Sequence, residues 1–305
     1  MAMRAIIPNL EAFEAAKQLS TCYYSDDLSV LLQTDALTGM ADLASLGVEV
    51  NCVVTSPPYY GQRDYGISGS LGLEDHPSSF IEKLTEIFGV SRELLLENGS
   101  LWVNIGDTYW SGKGQSRGVD KKQPARRFGI RPQDKPGDGL WARPKQLLLI
   151  PHRLAVSLQD DGWLVRNDNI WVKPNPLPDP VRDRCSVSHE HVFHFVKSRW
   201  YYFDLSSVKT ATANGRLTGP TDTWIVRPSA GGGNHRAAYP HELIRIPIES
   251  TTPPEGIVLD PFVGTGTTMV YAKEHGIRSI GIELNPEYCA MSADALRATS
   301  KGLGK

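Results

Sequence analysis

The sequence predicts an α/β fold: a doubly wound, mostly parallel sheet covered by helices and carrying an antiparallel edge hairpin. Six short runs rich in Val, Ile and Leu, each ending in polar or Gly/Pro-rich residues, have the character of strands buried on both faces. Four stretches with apolar residues at helical spacing fall among them. Strand alternating with helix gives crossover units and therefore a largely parallel sheet.

In chain order, strands are expected at residues 48–55, 99–105, 164–172, 191–196, 257–259 and 278–282. Helices are expected at 79–96, 146–159, 267–275 and 287–298; the first repeats apolar residues at Phe80, Leu84, Ile87 and Phe88. The run 191–196 is followed closely by Trp200, Tyr201, Tyr202 and Phe203, which predicts a hairpin closing the sheet. Residues 20–305 read as a single domain, interrupted by two irregular stretches at 111–145 and 206–233. The first holds ten basic and three acidic residues, a local charge of +7 within a chain whose net charge is −2. The near-neutral average is thus an acidic body plus one basic loop. Lys121, Lys122, Arg126, Arg127, Arg131 and Arg143 are its candidate phosphate contacts.

Other classes are disfavoured. Cys22, Cys52, Cys185 and Cys289 form no CxxC pair and no dense framework, so no disulfide scaffold is expected. Cys185, His189, His191 and His194 have poor ligand spacing, and no metal is expected. Glu11 and Glu14 interrupt the N-terminal region, which predicts no secretory signal, and no run approaches the ~20 apolar residues of a membrane span. A cytoplasmic protein is expected.

Chemistry concentrates in two motifs. Asp260-Pro-Phe-Val-Gly-Thr-Gly-Thr-Thr268 reads as a strand end, a glycine turn and a helix start. Gly264 and Gly266 let the backbone approach a ligand, and the helix start offers N–H donors to an anion. Asp260 suits an ammonium group. Glu283 ends the following strand, where an acid can hydrogen-bond ribose hydroxyls. Alone, this motif is also compatible with a tight turn that binds nothing. The second motif is Thr55-Ser-Pro-Pro-Tyr59, also after a strand. Its prolines lack N–H donors and leave carbonyls as acceptors, beside a serine oxygen and an aromatic face. Acceptors that hold both hydrogens of a base amine would favour its pyramidal, nucleophilic form. Alone, this motif is also compatible with a rigid turn.

Together, and in this order, the two motifs resemble the β group of DNA methyltransferases that modify exocyclic amines. Asp35, the segments 98–107 and 162–197, and His235 within 235–242 resemble that group's supporting motifs. The resemblance implies a Rossmann-like methyltransferase sheet, S-adenosyl-methionine as donor and double-stranded DNA as substrate. It implies a catalytic set of Ser56, Pro57, Pro58 and Tyr59: Ser56 and the Pro57 carbonyl accept from the amine, Pro58 shapes the turn and Tyr59 stacks on a flipped-out base. It implies cofactor contacts from Asp260, Phe262, Gly264, Thr265, Gly266 and Thr267 around the methionine part. Glu283 lies at the ribose, Asp35 at the adenine, and His235 in the segment closing the site. Ser56 resembles the cytosine-N4 branch, with adenine-N6 as the alternative; RNA or a small amine as substrate, or a binding protein that has lost catalysis, fit less well. Residues 206–233 are the candidate target-recognition region, and 175–183 resembles the loop beside the base pocket. A nucleoid-associated protein of prokaryotic or phage origin is expected, with a cognate restriction endonuclease and homodimer formation as expected partnerships. No cysteine follows a proline, as a cytosine-C5 nucleophile would require.

Overall fold

The computed structural model describes residues 5–62, 69–112, 119–120, 123–127, 132–140, 142–176, 179, 181–212, 214–228 and 239–300. In chain order the elements are α1 (Leu10–Ala16), β1 (Cys22–Ser25), β2 (Ser29–Gln33), α2 (Ala36–Ser45), β3 (Val50–Thr55), α3 (Pro77–Leu94) and β4 (Leu95–Ile105). Next come β5 (Val119–Asp120), β6 (Gln123–Arg127), α4 (Ile150–Asp160), β7 (Leu164–Val172), β8 (His189–Val196), β9 (Thr210–Ala211), β10 (Leu217–Thr218) and β11 (Thr223–Ile225). The chain closes with α5 (His241–Thr251), β12 (Ile257–Asp260), α6 (Thr267–Glu274), β13 (Arg278–Glu283) and α7 (Pro286–Ala298).

Among the described residues, nine strands form one sheet in the order β1-β2-β13-β12-β3-β4-β8-β7-β11. Only β1 and β8 run against the rest. The parallel strands β3, β12 and β13 are buried along almost their whole length because both faces are covered. On one face, Phe13, Met40, Leu43, Phe80, Leu84, Phe88 and Leu154 of α1 to α4 pack with Val53, Val103 and Leu259. On the other, Leu243, Ile244 and Ile248 of α5 and Tyr271 of α6 meet Cys52, Val54, Trp102 and Val258, while α7 seals Leu31 and Met269. From β12 the chain winds through α6 to β13 on one side; from β3 it winds through α3 to β4 on the other. The junction of β12 and β3 is therefore the topological switch point, where doubly wound sheets bind ligands beyond the carboxyl ends of their strands.

The antiparallel edge hairpin is present as β1–β2. The hairpin expected of 191–196 with 200–203 is not: β8 lies inside the sheet between β4 and β7, and residues 200–203 form no strand. The physical reason is the long return from β7 over 173–188, which inserts β8 next to β4, where its Val192, Phe193, Phe195 and Val196 are buried on both faces. Within 206–233, β9 and β10 pair with each other and β11 joins the far sheet edge. Within 111–145, β5 pairs with β6, and Gln133 and Asp134 are buried. Lys121, Lys122, Arg131 and His235 lie outside the described residues. Among the described residues no helix is long and apolar enough to cross a membrane.

Candidate active site

Four neighbouring parallel strands, β2, β13, β12 and β3, bring Asp35, Glu283, the glycine turn and the Ser-Pro-Pro-Tyr turn to one edge of the sheet. Asp35 caps α2, its Oδ1 accepting from the Thr38 N–H at 2.9 Å, and is otherwise exposed. Gln33 pairs with Glu283 in register, which sets Asp35 beside the end of β13.

The glycine turn is open toward solvent and closed toward the protein. Gly264 (φ 55°) and Gly266 (φ 93°) occupy the left-handed region. A Cβ at Gly266 would strike Ser292 Oγ at 2.8 Å, whereas a Cβ at Gly264 would meet only one atom, at 4.0 Å. There is space for a ligand over Gly264. Its N–H donates to Glu283 Oε2 at 2.9 Å, and the Asn285 N–H donates to Glu283 Oε1 at 2.8 Å. Each Glu283 oxygen keeps lone-pair capacity for a further donor. Burial pushes the Glu283 carboxyl above its usual range, against these backbone hydrogen bonds. Ser292 Oγ donates to the Gly264 carbonyl at 2.8 Å and braces the turn from α7. Gly266 caps α6 without any side-chain hydrogen bond, which leaves the first-turn N–H groups available as donors beside the half-buried Thr265 and Thr267. Phe262 is half-buried and packs against the core.

Asp260 is 1% exposed and surrounded by donors. Thr55 Oγ1 donates to Oδ1 at 2.6 Å, the Phe262 N–H to Oδ1 at 3.1 Å, Tyr239 OH to Oδ2 at 3.0 Å, and Thr268 Oγ1 to Oδ2. Burial raises the carboxyl's pKa, while these hydrogen bonds work to lower it. An ammonium group reaches these oxygens only by displacing a hydroxyl. In the structure Asp260 is the tie between β12, β3 and Tyr239, with Thr55 directly preceding Ser56.

The second turn is held from the opposite side. Ser56, Pro58 and Tyr59 are half-buried and Pro57 is buried. Tyr59 OH donates to Glu190 Oε2 at 2.7 Å and lies 3.2 Å from Asn104 Oδ1 and 3.5 Å from Ser56 Oγ. Its ring rests on Gly106, where a Cβ would come within 2.8 Å of Tyr59 Cε2. Lys173 pairs with the other oxygen of Glu190 and lies over the Trp171 ring. Further along, buried Gln133 donates through Nε2 to the Gly61 carbonyl at 2.7 Å and anchors the base of the basic segment to this turn.

Thr55, Asn104, Lys173, Glu190, Tyr239 and Thr268 fall inside the motifs and segments named from the sequence, but the sequence assigns them no individual role in this arrangement. Asn104, Lys173 and Glu190 converge only because β8 is interposed beside β4, which no local spacing announces. Elsewhere, Arg143 is exposed, Lys145 pairs with Asp183 at 2.5 Å, and Arg126 and Arg127 lie on β6. Cys52 is fully buried, which pushes its thiol up to about 12 and removes it as a nucleophile. His191 and His194 lie on opposite faces of β8. His194 is buried and stacked on Trp102, with its pKa driven down to about 3 by burial, whereas His191 Nδ1 meets Asp168 Oδ1 at 2.8 Å. His152 joins that pair in one cluster of metal-type side chains, with His191 already engaged by Asp168.

The family model described as DNA methylase, covering N6 and N4 enzymes, matches residues 50–294. The chain belongs to this DNA methylase family. It is 42% identical over 275 residues to the Type II methyltransferase M.XycI of Xanthomonas campestris pv. cyanopsidis, covering 90% of each chain. It is 44% identical over 269 residues to the Type II methyltransferase M.Cfr9I of Citrobacter freundii, covering 88% of each. Among solved structures, PvuII DNA methyltransferase, titled cytosine-N4-specific, superposes with a TM-score of 0.65 at 21% identity, covering 90% of this chain and 88% of that one. The M1.HpyAVI–SAM complex superposes with a TM-score of 0.54 at 19% identity, covering 88% of this chain and 99% of that one. This DNA methylase therefore has the mostly parallel methyltransferase sheet, with both motifs at its switch point.

Proposed function

We propose that this DNA methylase transfers the methyl group of S-adenosyl-methionine to the exocyclic N4 of a flipped-out cytosine within a specific duplex sequence. The observation that carries the reading is the Thr55–Asp260 hydrogen bond, which joins the base-amine turn and the glycine turn at the sheet's switch point. Two turns joined in this way can present an amine to a methyl donor, and in-line transfer needs mainly positioning. Ser56 favours cytosine-N4, and the PvuII neighbour carries that title.

The residues present fit the donor. Glu283 would accept from the ribose hydroxyls, Asp35 would flank the adenine, and Gly264, Thr265, Gly266 and Thr267 would hold the amino-acid end at the α6 N-terminus. Phe262 and Asp260 would back that end, with His235 in the closing segment. Bound S-adenosyl-methionine supplies an already activated methyl group. Ser56 Oγ and the Pro57 carbonyl hold the amine hydrogens, Pro58 fixes the turn, and Tyr59 offers its ring to the base. An extruded base is required because a stacked one cannot reach such a pocket. The basic segment 111–145, with Arg126, Arg127 and Arg143, would engage phosphates, and 206–233 would read the sequence. The Type II names of the relatives support a role beside a cognate restriction endonuclease.

Parallel incubation of labelled S-adenosyl-methionine with long unmethylated duplex DNA and with RNA, followed by nucleoside mass spectrometry, tests the reading. N4-methylcytosine is expected. N6-methyladenine would overturn the base assignment, and labelling of RNA alone would overturn the substrate.

A further inference from the structure

We propose that Glu190 is a positioning residue for methyl transfer: it fixes the Tyr59 phenol, and through it the ring against which the target base stacks. The inference rests on the function proposed above. Within its own turn the Tyr59 phenol meets only the long Ser56 contact at 3.5 Å among the hydrogen bonds described above. The restraint comes from elsewhere. Glu190 Oε2 accepts from Tyr59 OH at 2.7 Å, and Asn104 Nδ2 bridges that same oxygen at 3.3 Å to the His191 carbonyl at 3.1 Å. Lys173 takes the second oxygen, and the pair is largely withdrawn from water, with side-chain exposures of 21% and 15%. Gly106 supports the ring from beneath. Glu190 and Asn104 sit on adjacent strands in the sheet interior, which gives the clamp a firm base.

A charge argument accompanies the geometric one. As the amine lone pair forms the new N–C bond, the S–C electron pair returns to sulfur and positive charge passes to the base until a proton leaves for solvent. A phenol that donates to a carboxylate carries more negative charge in its ring, and such a face attracts a developing cation. Glu190 thereby acts through Tyr59 and not on the base itself.

A double-mutant cycle tests this with single-turnover methylation of long unmethylated duplex DNA by wild type, Glu190→Gln, Tyr59→Phe and the double variant. Each single change is expected to slow transfer about tenfold, the scale of one hydrogen bond to a charged group. The double variant should be about tenfold slower as well, because both changes cut the same link. Calorimetry should give an unchanged S-adenosyl-methionine affinity in all four proteins. Losses that multiply to about a hundredfold would overturn the proposal by showing that Glu190 acts independently of Tyr59. A wild-type rate in Tyr59→Phe, which keeps the Lys173–Glu190 pair intact, would overturn it even if Glu190→Gln folds poorly. No transfer by the wild-type chain would overturn the function on which the proposal rests.

Discussion

The glycine-turn half and the Tyr59 half of the site sit side by side at the ends of β12 and β3, yet they are built differently. The first is local: Asp260, Gly264, Gly266, Glu283 and Ser292 lie within 33 residues and are linked largely through backbone N–H and carbonyl groups. The second is dispersed: Tyr59, Asn104, Gly106, Lys173 and Glu190 come from three distant segments and meet mainly through side chains. A backbone cradle suits a ligand that is the same in every reaction cycle. A side-chain pocket suits a base that must be selected, and it is the half a few substitutions can retune.

The largest effect should come from the link between the two turns. Asp260→Ala removes the acceptor of three buried hydroxyls and is expected to abolish transfer and cost about 3 kcal/mol of stability. Thermal melting and labelled transfer on one preparation check this, and wild-type stability would break the claim that Asp260 joins the halves. Gly106→Ala should separate them. Its Cβ drives into the Tyr59 ring, so transfer should fall about 10- to 100-fold, the cost of a misplacement near 1 Å, with donor affinity kept.

A smaller, graded effect should mark the glycine-turn half alone. The Glu283 pKa lies above the ordinary 4.5 because of burial. The protonated form is thus favoured in the folded protein, so this group's contribution to stability declines as pH rises from 4.5 through the raised value. Donor binding has the opposite sign, since ribose hydroxyls need the carboxylate as acceptor. The S-adenosyl-methionine dissociation constant should rise as pH falls through the raised pKa, and Glu283→Gln should flatten that profile in calorimetry. The smallest effect on the site itself is expected from neutralising Arg126, Arg127 and Arg131 together. DNA affinity should weaken and the slope of log affinity against log salt should drop by about 2 to 3. Donor affinity should not move.

The same contrast explains what could be read from the sequence. β3, β7, β12 and β13 were legible as short strand-like stretches carrying Val, Ile and Leu, and the Gly264-to-Glu283 spacing was legible because one crossover unit fixes it. β2 was not expected, and its place in the sheet depends on pairing with residues 279–283 far along the chain. The clamp on Tyr59 was not legible either, because the antiparallel β8 enters between β4 and β7 by a long return. Asp260 stood out within its motif, but its buried ring of hydroxyl donors did not, since Thr55 and Tyr239 approach from separate segments.

The most direct test of a two-part site is Tyr59→Ala, assayed for donor binding by calorimetry and for methyl transfer to duplex DNA on the same preparation. Wild-type affinity for S-adenosyl-methionine is expected, with no transfer detected. Loss of donor affinity in step with transfer, or transfer at the wild-type rate, would contradict a two-part site.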